Sequence, residues 1–224
     1  MKQEQLIPDE WIVAYAAGTL TEAKATLVAT HISFHPELKE KLKTAEDIGG
    51  ELLDSSEKAS VSNTLFDKIE AALDRPYSSE KQVSSRPLTL EHIMPTKAAP
   101  APLVDYVRLT GHQPKWRVMG PGLRQAKLCK GENGERLWLL KAKGGTEMPK
   151  HDHNGQEMTL VLQGSYHVGE TRFCVGDLEI AADHIKDHQP MIDEGEDCIC
   201  LVVTEAPIKL KSMLARVAQP FIGI

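Results

Sequence analysis

His151 and His153 are separated by one residue, and this spacing places both imidazoles on one face of a β-strand. Glu157 follows after Asn154 and Gly155, a pair that is typical of a tight turn, and it opens a strand-like run of apolar and β-branched residues. Two histidines and a carboxylate that converge from neighbouring strands can bind a divalent cation such as zinc, manganese or iron. The sequence therefore predicts a metal site built on His151, His153 and Glu157.

These residues lie in a segment with the pattern G-x5-H-x-H-x3-E-x6-G, which begins at Gly145. This spacing resembles the first signature motif of the cupin family. The resemblance implies a β-barrel whose metal is held by three histidines and one glutamate. We expect His188 to be the remaining ligand, with His184 as the competing choice, because both follow residues 173–177, which are similar to the second motif of that family. Zinc is the expected metal, and manganese, iron and nickel are the alternatives.

The bulk properties of the chain restrict its class. Its 224 residues are 41% hydrophobic and 26% charged, which is enough for one large or two small folded domains and argues against disorder. The net charge is −6 and no Lys/Arg-rich run is present, which disfavours direct binding to nucleic acid. The sequence contains neither a signal peptide nor a membrane-spanning stretch, so we expect a cytoplasmic protein with no membrane partner and with reduced cysteines.

Residues 1–75 are predicted to form a small helical bundle. Thr21 is a suitable N-cap for a helix that ends near His35, and Pro36 suits the first turn of the next helix. We expect Gly49 and Gly50 to weaken or break that helix. A further helix carries the apolar residues Leu65, Phe66, Ile69 and Leu73. The apolar faces are expected to pack against the rest of the chain, and the alternative is that they bind a partner helix.

The remainder of the chain is predicted to consist of a linker and a β-domain. Five prolines fall within residues 76–102, which favours a linker, and residues 103–224 contain short strand-like runs separated by glycine-rich turns. This pattern is typical of a sandwich or barrel. The predicted fold class is α+β multidomain, with a helical domain at 1–75, a linker at 76–102 and an all-β cupin-like barrel at 103–224. The strand-like runs are 116–118, 124–128, 137–142, 157–161, 178–181 and 198–203.

A second resemblance covers nearly the whole chain. Residues 14–23 (AYAAGTLTEA) and 27–31 (LVATH) look like the N-terminal domain of the ChrR-type zinc anti-sigma factors, which join a helical domain to a cupin-like domain. Residues 122–126 (GLRQA), 157–164 (EMTLVLQG) and 195–201 (GEDCICL) are similar to the second half of that family. The resemblance implies an anti-sigma factor, rather than an enzyme, that sequesters an extracytoplasmic-function sigma factor away from RNA polymerase. It also implies that the cupin-like domain is required for release under a stress such as singlet oxygen.

The helical region departs from that family at its zinc motif, H-x3-C-x2-C with a further histidine upstream. Here His31 matches, but His35 and Leu38 occupy the cysteine positions and Leu6 occupies the position of the upstream histidine. A structural zinc site normally needs four nitrogen or sulfur donors, and two imidazoles alone would bind zinc weakly. We therefore expect no zinc in the helical region, with Leu6 and Leu38 filling the space by apolar packing.

Partner binding is expected on helix faces around Tyr15, Leu27 and Val28, with a sigma factor as the partner. Two other hypotheses remain open. One is a cupin metalloenzyme, such as a dioxygenase or an isomerase, that uses His151, His153, Glu157 and His188 on a small molecule. The other is a sensor whose metal site changes the contact between the two domains. The sequence leaves open whether the chain forms a homodimer.

Overall fold

The computed structural model describes residues 5–73, 99–111, 114–131, 133–207 and 209–210. In these ranges the chain forms five α-helices followed by β-structure, which confirms the predicted order of helical and β-rich parts. None of the helices described is both long and apolar enough to cross a membrane. The helices are α1 Asp9–Ala16, α2 Glu22–Phe34, α3 Pro36–Ser55, α4 Leu65–Leu73 and α5 Ala101–Thr110.

Local sequence explains where most helices begin and end. The Thr21 hydroxyl accepts a hydrogen bond from the backbone N–H of Lys24 at 3.4 Å, so the predicted cap of α2 is confirmed. Pro36 occupies the first turn of α3, where a missing N–H costs no hydrogen bond. Of the two expected effects of Gly49 and Gly50, weakening or breaking the helix, the break is wrong, because α3 continues through both to Ser55. Each glycine disfavours helix by only about 1 kcal/mol relative to alanine, which a 20-residue helix tolerates.

Helix α5 occupies residues where the sequence predicted the end of a linker and the start of β-structure. The expectation of β-structure from residue 103 is therefore wrong for this segment. Pro102 lies in its first turn, and Gly111 ends it with a left-handed φ of 64°. Leu103, Tyr106 and Val107 recur at helical spacing and are buried. Residues 76–98 of the predicted linker lie outside the described residues, so the domain limits remain predictions.

The strands form one large and two small antiparallel sheets. The large sheet has the order β1-β2-β3-β10-β5-β8, and its six strands correspond to the six strand-like runs predicted from the sequence. The small sheets have the orders β7-β6-β9 and β11-β4. The strands are β1 Arg117–Gly120, β2 Leu123–Lys130, β3 Arg136–Ala142, β4 His151–Asp152, β5 Glu157–Gln163, β6 Ser165–Val168, β7 Thr171–Cys174, β8 Leu178–Ala181, β9 Met191–Ile192, β10 Cys198–Thr204 and β11 Lys209–Leu210.

Strand β10 is central to the core, and all seven of its residues are buried. Because side chains alternate along a strand, Ile199 and Leu201 join one apolar cluster while Cys198 and Cys200 join another. The first cluster also contains residues of α1, α2, α3 and α5, and the second lies inside the barrel. The helical region and the large sheet therefore share one core instead of forming separate ones.

Candidate metal centre

Backbone pairing brings the predicted ligands together from distant parts of the chain. The backbone N–H of His151 donates to the carbonyl of His188 at 3.1 Å, and the N–H of His188 donates to the carbonyl of His151 at 3.0 Å. His153 follows β4 directly, and Glu157 opens β5 after the turn that the sequence predicted. The two strands and the His188 segment thus meet at one end of the barrel.

The rings of His151, His153 and His188 form a compact buried cluster. The Nδ1 atom of His188 lies 3.2 Å from the Nε2 atoms of both His151 and His153. The three side chains can each offer one nitrogen within 4.8 Å of the others, and they are the one group of three or more His, Cys, Asp or Glu residues so arranged in the described part of the chain. Their exposed fractions are only 3–4%. Three nitrogens converging on one point are suited to a divalent metal such as zinc.

The electrostatics of the cluster favour neutral imidazoles at His151 and His153. Burial is the main cause that lowers the pKa of His151 below its usual value. Burial, followed by the charges of His151 and His188, lowers the pKa of His153 to about 4. Among the residues that the structure describes, none offers a hydrogen-bond partner to the buried Nδ1 atom of His153, which is costly unless some group satisfies it. Neutral histidines with available lone pairs are the form that binds a metal, so the donor set fits one.

Glu157 lies beside the histidine cluster. Its Oε2 atom is 3.9 Å from Nδ1 of His153, and its side chain is largely buried. Burial raises its pKa to about 7. A divalent cation at the cluster would favour the ionised carboxylate, which would then be a further ligand. Its ligand role remains a prediction.

Glu179 of β8 is a polar neighbour of the cluster that the sequence analysis missed. Its Oε1 atom accepts a hydrogen bond from Nε2 of His188 at 2.9 Å, and its Oε2 atom accepts one from the Tyr166 hydroxyl at 2.7 Å. Burial alone would lower the pKa of His188, but the bond to Glu179 and its charge outweigh burial and raise it. A signal was present in the sequence, because Glu179 is a charged residue between the apolar Leu178 and Ile180 of a predicted strand.

A cavity of about 900 Å³ opens beside the histidines. Its walls are mostly apolar and come from β2, β3, β10 and the loops around β9. Its lining includes Cys129, Cys198 and Cys200, and the sulfur atoms of Cys198 and Cys200 are 3.6 Å apart. Residues lining the cavity include Leu123, Trp138, Leu140, Met148, Tyr166 and Ile192.

The other predicted site residues lie elsewhere. His184, the competing choice for a ligand, is exposed to solvent and lies outside the cluster. Tyr15 is partly buried against the core. Leu27 and Val28 of α2 are 0% exposed, because α2 packs on α5 and on the large sheet. In this arrangement Leu27 and Val28 do not offer a surface to a partner.

The family's zinc positions in the helical region carry a donor set that does not fit a structural zinc site. Leu38 is buried and Leu6 packs against the core, so two of the four positions are aliphatic. Nε2 of His35 lies 2.8 Å from the carbonyl oxygen of Gly176 and donates to it. Within the described part of the chain, both ring nitrogens of His31 are buried without a hydrogen-bond partner, and burial, followed by the charge of His35, lowers its pKa to about 3. Leu6 and Leu38 fill this region by apolar packing, and His35 is hydrogen-bonded to the barrel instead of to a metal.

Comparisons with known proteins agree with this architecture. Residues 106–207 match the family model described as the ChrR cupin-like domain. The anti-sigma-E factor ChrR of Cereibacter sphaeroides is 39% identical over 219 residues, which cover 97% of this chain and 97% of that protein. This chain belongs to the ChrR family. The resemblance seen in the sequence is therefore confirmed over almost the whole chain.

A solved structure of a ChrR protein supports the fold directly. In the crystal structure of Rhodobacter sphaeroides SigE in complex with the anti-sigma ChrR, the matched chain is 36% identical to this one, with a TM-score of 0.71. The match covers 89% of this chain and 98% of that chain. The arrangement of N-terminal helices followed by a cupin-like domain is thus shared with ChrR, and the histidine cluster lies in the ChrR cupin-like domain.

Proposed function

We propose that this protein is an anti-sigma factor that binds an extracytoplasmic-function sigma factor and withholds it from RNA polymerase. The relative that supports this proposal is named an anti-sigma-E factor, and its solved structure is a complex with SigE. The identity to that relative spans both parts of the chain, so it includes the helical region and not only the barrel.

An exposed apolar surface on the second half of α3 and on α4 is the observation that carries this proposal. All nine residues of α4 are exposed, so the described part of the chain does not cover this helix. A nine-residue helix is marginal in water without packing. Exposed apolar residues that recur at helical spacing mark sites where proteins bind one another. The residues of this α3–α4 surface are Ile48, Leu52, Leu53, Leu65, Phe66, Ile69 and Leu73, with exposed fractions from 40% to 80%.

The α3–α4 surface differs from the contacts expected from the sequence. The prediction that Tyr15, Leu27 and Val28 contact the sigma factor is untested. Since Leu27 and Val28 are fully buried, we propose that they hold α2 on the barrel and that the partner binds the α3–α4 surface. Tyr15, which is only partly buried, stays in the proposal as a contact at the rim.

The cupin-like part is proposed to bind one divalent metal and to control release. His151, His153, His188 and Glu157 would hold the ion, with zinc as the first choice. Such an ion would cross-link β4, β5 and the His188 segment and so stabilise this end of the barrel. Cys198 and Cys200 line the adjacent cavity, and thiols are among the side chains that oxidants convert. We therefore propose an oxidative signal for release.

A metal-dependent enzyme is the second candidate function, and one observation favours it. The cavity of about 900 Å³ is within the size range of small-molecule sites and lies beside the histidine cluster. An enzyme would turn over a small molecule in the absence of any sigma factor and would lose that activity with His153→Ala. The relative that matches along 97% of this chain is named an anti-sigma factor, so a regulator is the proposal that we prefer.

Co-expression of the full-length chain with the sigma factor encoded beside it tests the proposal. The full chain is needed because the helical region shares its core with the sheet. We expect a stable one-to-one complex for the wild type and a loss of at least about tenfold in affinity for Phe66→Asp, as for central apolar contacts of interfaces. Leu109→Asp is the matched control, since Leu109 is 85% exposed on α5. The proposal fails if the folded wild type does not bind, or if Phe66→Asp binds as well as Leu109→Asp.

A further inference from the structure

We propose that Glu205 and Lys24 couple the metal centre to the helical region, so that the occupancy of the metal site changes how firmly α2 is held. This inference rests on the proposed function, because it names how the metal site would regulate the sigma-binding part of the chain. Glu205 contacts the turn between two predicted ligands, and Lys24 lies on α2, the helix that packs on the large sheet.

The turn that joins His153 to Glu157 is held by the segment that begins at Glu205. The backbone N–H of Gln156 donates to Oε2 of Glu205 at 2.9 Å, and the N–H of Glu205 donates to the carbonyl of Gln156 at 3.0 Å. The side chain of Asn154 also donates to the carbonyl of Pro207 at 3.0 Å. The metal-ligand turn therefore cannot shift without displacing Glu205.

The packing at Gly155 makes this contact tight. Gly155 has a φ of 145°, and a Cβ atom placed on it would lie 3.3 Å from both Cβ and Oε2 of Glu205. Such a distance is shorter than normal packing allows without movement of the neighbour. Glycine thus lets the turn approach Glu205 closely, and the position of one fixes the position of the other.

The second carboxylate oxygen of Glu205 binds the helical region. Nζ of Lys24 donates to Oε1 of Glu205 at 2.7 Å, and the Lys24 side chain is only 19% exposed. Nζ also lies 3.7 Å from Oε1 of Glu135, and 5.0 Å from the ring centre of Trp11 in α1. One cation on α2 therefore contacts the metal-ligand turn through Glu205, the barrel through Glu135, and α1 through Trp11.

These contacts link the occupancy of the metal site to the packing of α2. A metal that holds His153 and Glu157 at the two ends of the turn restricts the movement of the turn. The turn also restricts the movement of Glu205. Glu205 then stays in one position beside Lys24, and α2 stays closely packed. When the metal is lost, Glu205 gains freedom and α2 is held less firmly. Because coupling between two sites is reciprocal, anything that loosens α2 also weakens metal binding.

Amide hydrogen exchange of α2 in the full-length protein, with and without zinc and with no sigma factor present, tests this coupling. In the wild type we expect the α2 amides to exchange faster after a chelator has removed zinc. In Lys24→Met and in Glu205→Gln, the zinc-loaded protein should exchange at the rate of the zinc-free wild type. Lys41→Met is the matched control: Lys41 pairs with Asp9 at 2.6 Å within the helical region, so this variant should keep the wild-type difference.

Zinc affinity gives a second readout. Lys24→Met should lower it by about two- to fivefold, the scale of one partly exposed ion pair, and adding Glu205→Gln should not lower it much further. The coupling proposal is overturned if zinc leaves α2 exchange unchanged in the wild type, or if zinc-loaded Lys24→Met exchanges like the zinc-loaded wild type. Both readouts need no sigma factor, so a failure of sigma binding would overturn the proposed function alone.

Discussion

Nε2 of His188 donates a hydrogen bond to Oε1 of Glu179, and this bond determines which nitrogen of the ring faces His151 and His153. A carboxylate accepts only, so the proton lies on Nε2 and the lone pair lies on Nδ1. The Tyr166 hydroxyl donates to the other oxygen of Glu179 and keeps the carboxylate in place. Such a carboxylate orients a metal-binding histidine without itself touching the ion.

Replacement of Glu179 should weaken metal binding without removing a ligand. We expect Glu179→Gln to lower zinc affinity by about 10–100-fold, since partners of ligating histidines contribute on this scale. Competition with a chelator measures the affinity. The visible spectrum of cobalt-substituted protein should keep its shape in Glu179→Gln and change in Glu157→Gln, if Glu157 is a ligand. Equal spectral changes in both variants would contradict the assignment of Glu179 as a positioning residue.

Removal of single histidines distinguishes ligands from bystanders. His151→Ala, His153→Ala and His188→Ala should each lower the amount of zinc retained after dialysis, because each removes one of the four proposed donors. His184→Ala should retain the wild-type content, since His184 is exposed outside the cluster. Metal analysis of the dialysed proteins is the measurement. Zinc loss in His184→Ala with retention in His188→Ala would reverse our assignment.

His31 should make the fold sensitive to acid. Its pKa is about 3 in the folded chain against 6.5 in the unfolded one, so the unfolded state binds the proton first as pH falls. The stability that His31 contributes is complete above about pH 6.5 and is lost progressively toward pH 3. Between pH 7.5 and 5 this loss is about 2 kcal/mol.

Urea denaturation of His31→Leu should therefore show a smaller fall in the free energy of unfolding between pH 7.5 and pH 5. The fall should shrink by about 2 kcal/mol relative to the wild type. Buried histidines that do not contact His31 contribute equally to both proteins and cancel in this comparison. His184→Leu, at an exposed position, is the control and should keep the wild-type fall. An unchanged fall in His31→Leu would mean that His31 is not the acid-sensitive group.

The contact between α2 and the β7–β8 turn should be intolerant of a side chain at Gly176. This residue has a φ of 92°, and a Cβ atom would lie 3.3 Å from Cβ of Phe34 and 3.4 Å from Nε2 of His35. Gly134 has a similar φ of 87° but has open space around it. Gly176→Ala should thus cost about 1–3 kcal/mol more than Gly134→Ala, from crowding alone. Equal losses in urea denaturation would show that the turn moves aside.

The sequence predicted the parts of this molecule that depend on local pattern. The N-cap at Thr21 and the six strands of the large sheet follow from capping chemistry and from runs of strand-forming residues. The clustering of His151 with His153 follows from strand periodicity, which needs no knowledge of the rest of the chain.

The sequence did not predict which elements pack against one another. Periodicity identified an apolar face at Leu27 and Val28 but not which elements cover it; α5 and the large sheet do. Glu179 reaches His188 only because β8 pairs with β5, a relationship between distant residues that spacing does not encode. Pro100 and Pro102 favoured a linker, whereas proline at the first turn of a helix fits α5 equally well.

Strand β10 has a consequence for how this protein can change during evolution. Its residues alternate between the core shared with the helices and the interior that contains the metal cluster, so a substitution at one position alters the packing seen by its neighbours on the opposite face. In a barrel transplanted from another ChrR protein, the residues that correspond to Ile199, Leu201 and Val203 would have to pack against α2. Hybrid proteins should therefore succeed only when α2, α5 and the large sheet are inherited together as one block.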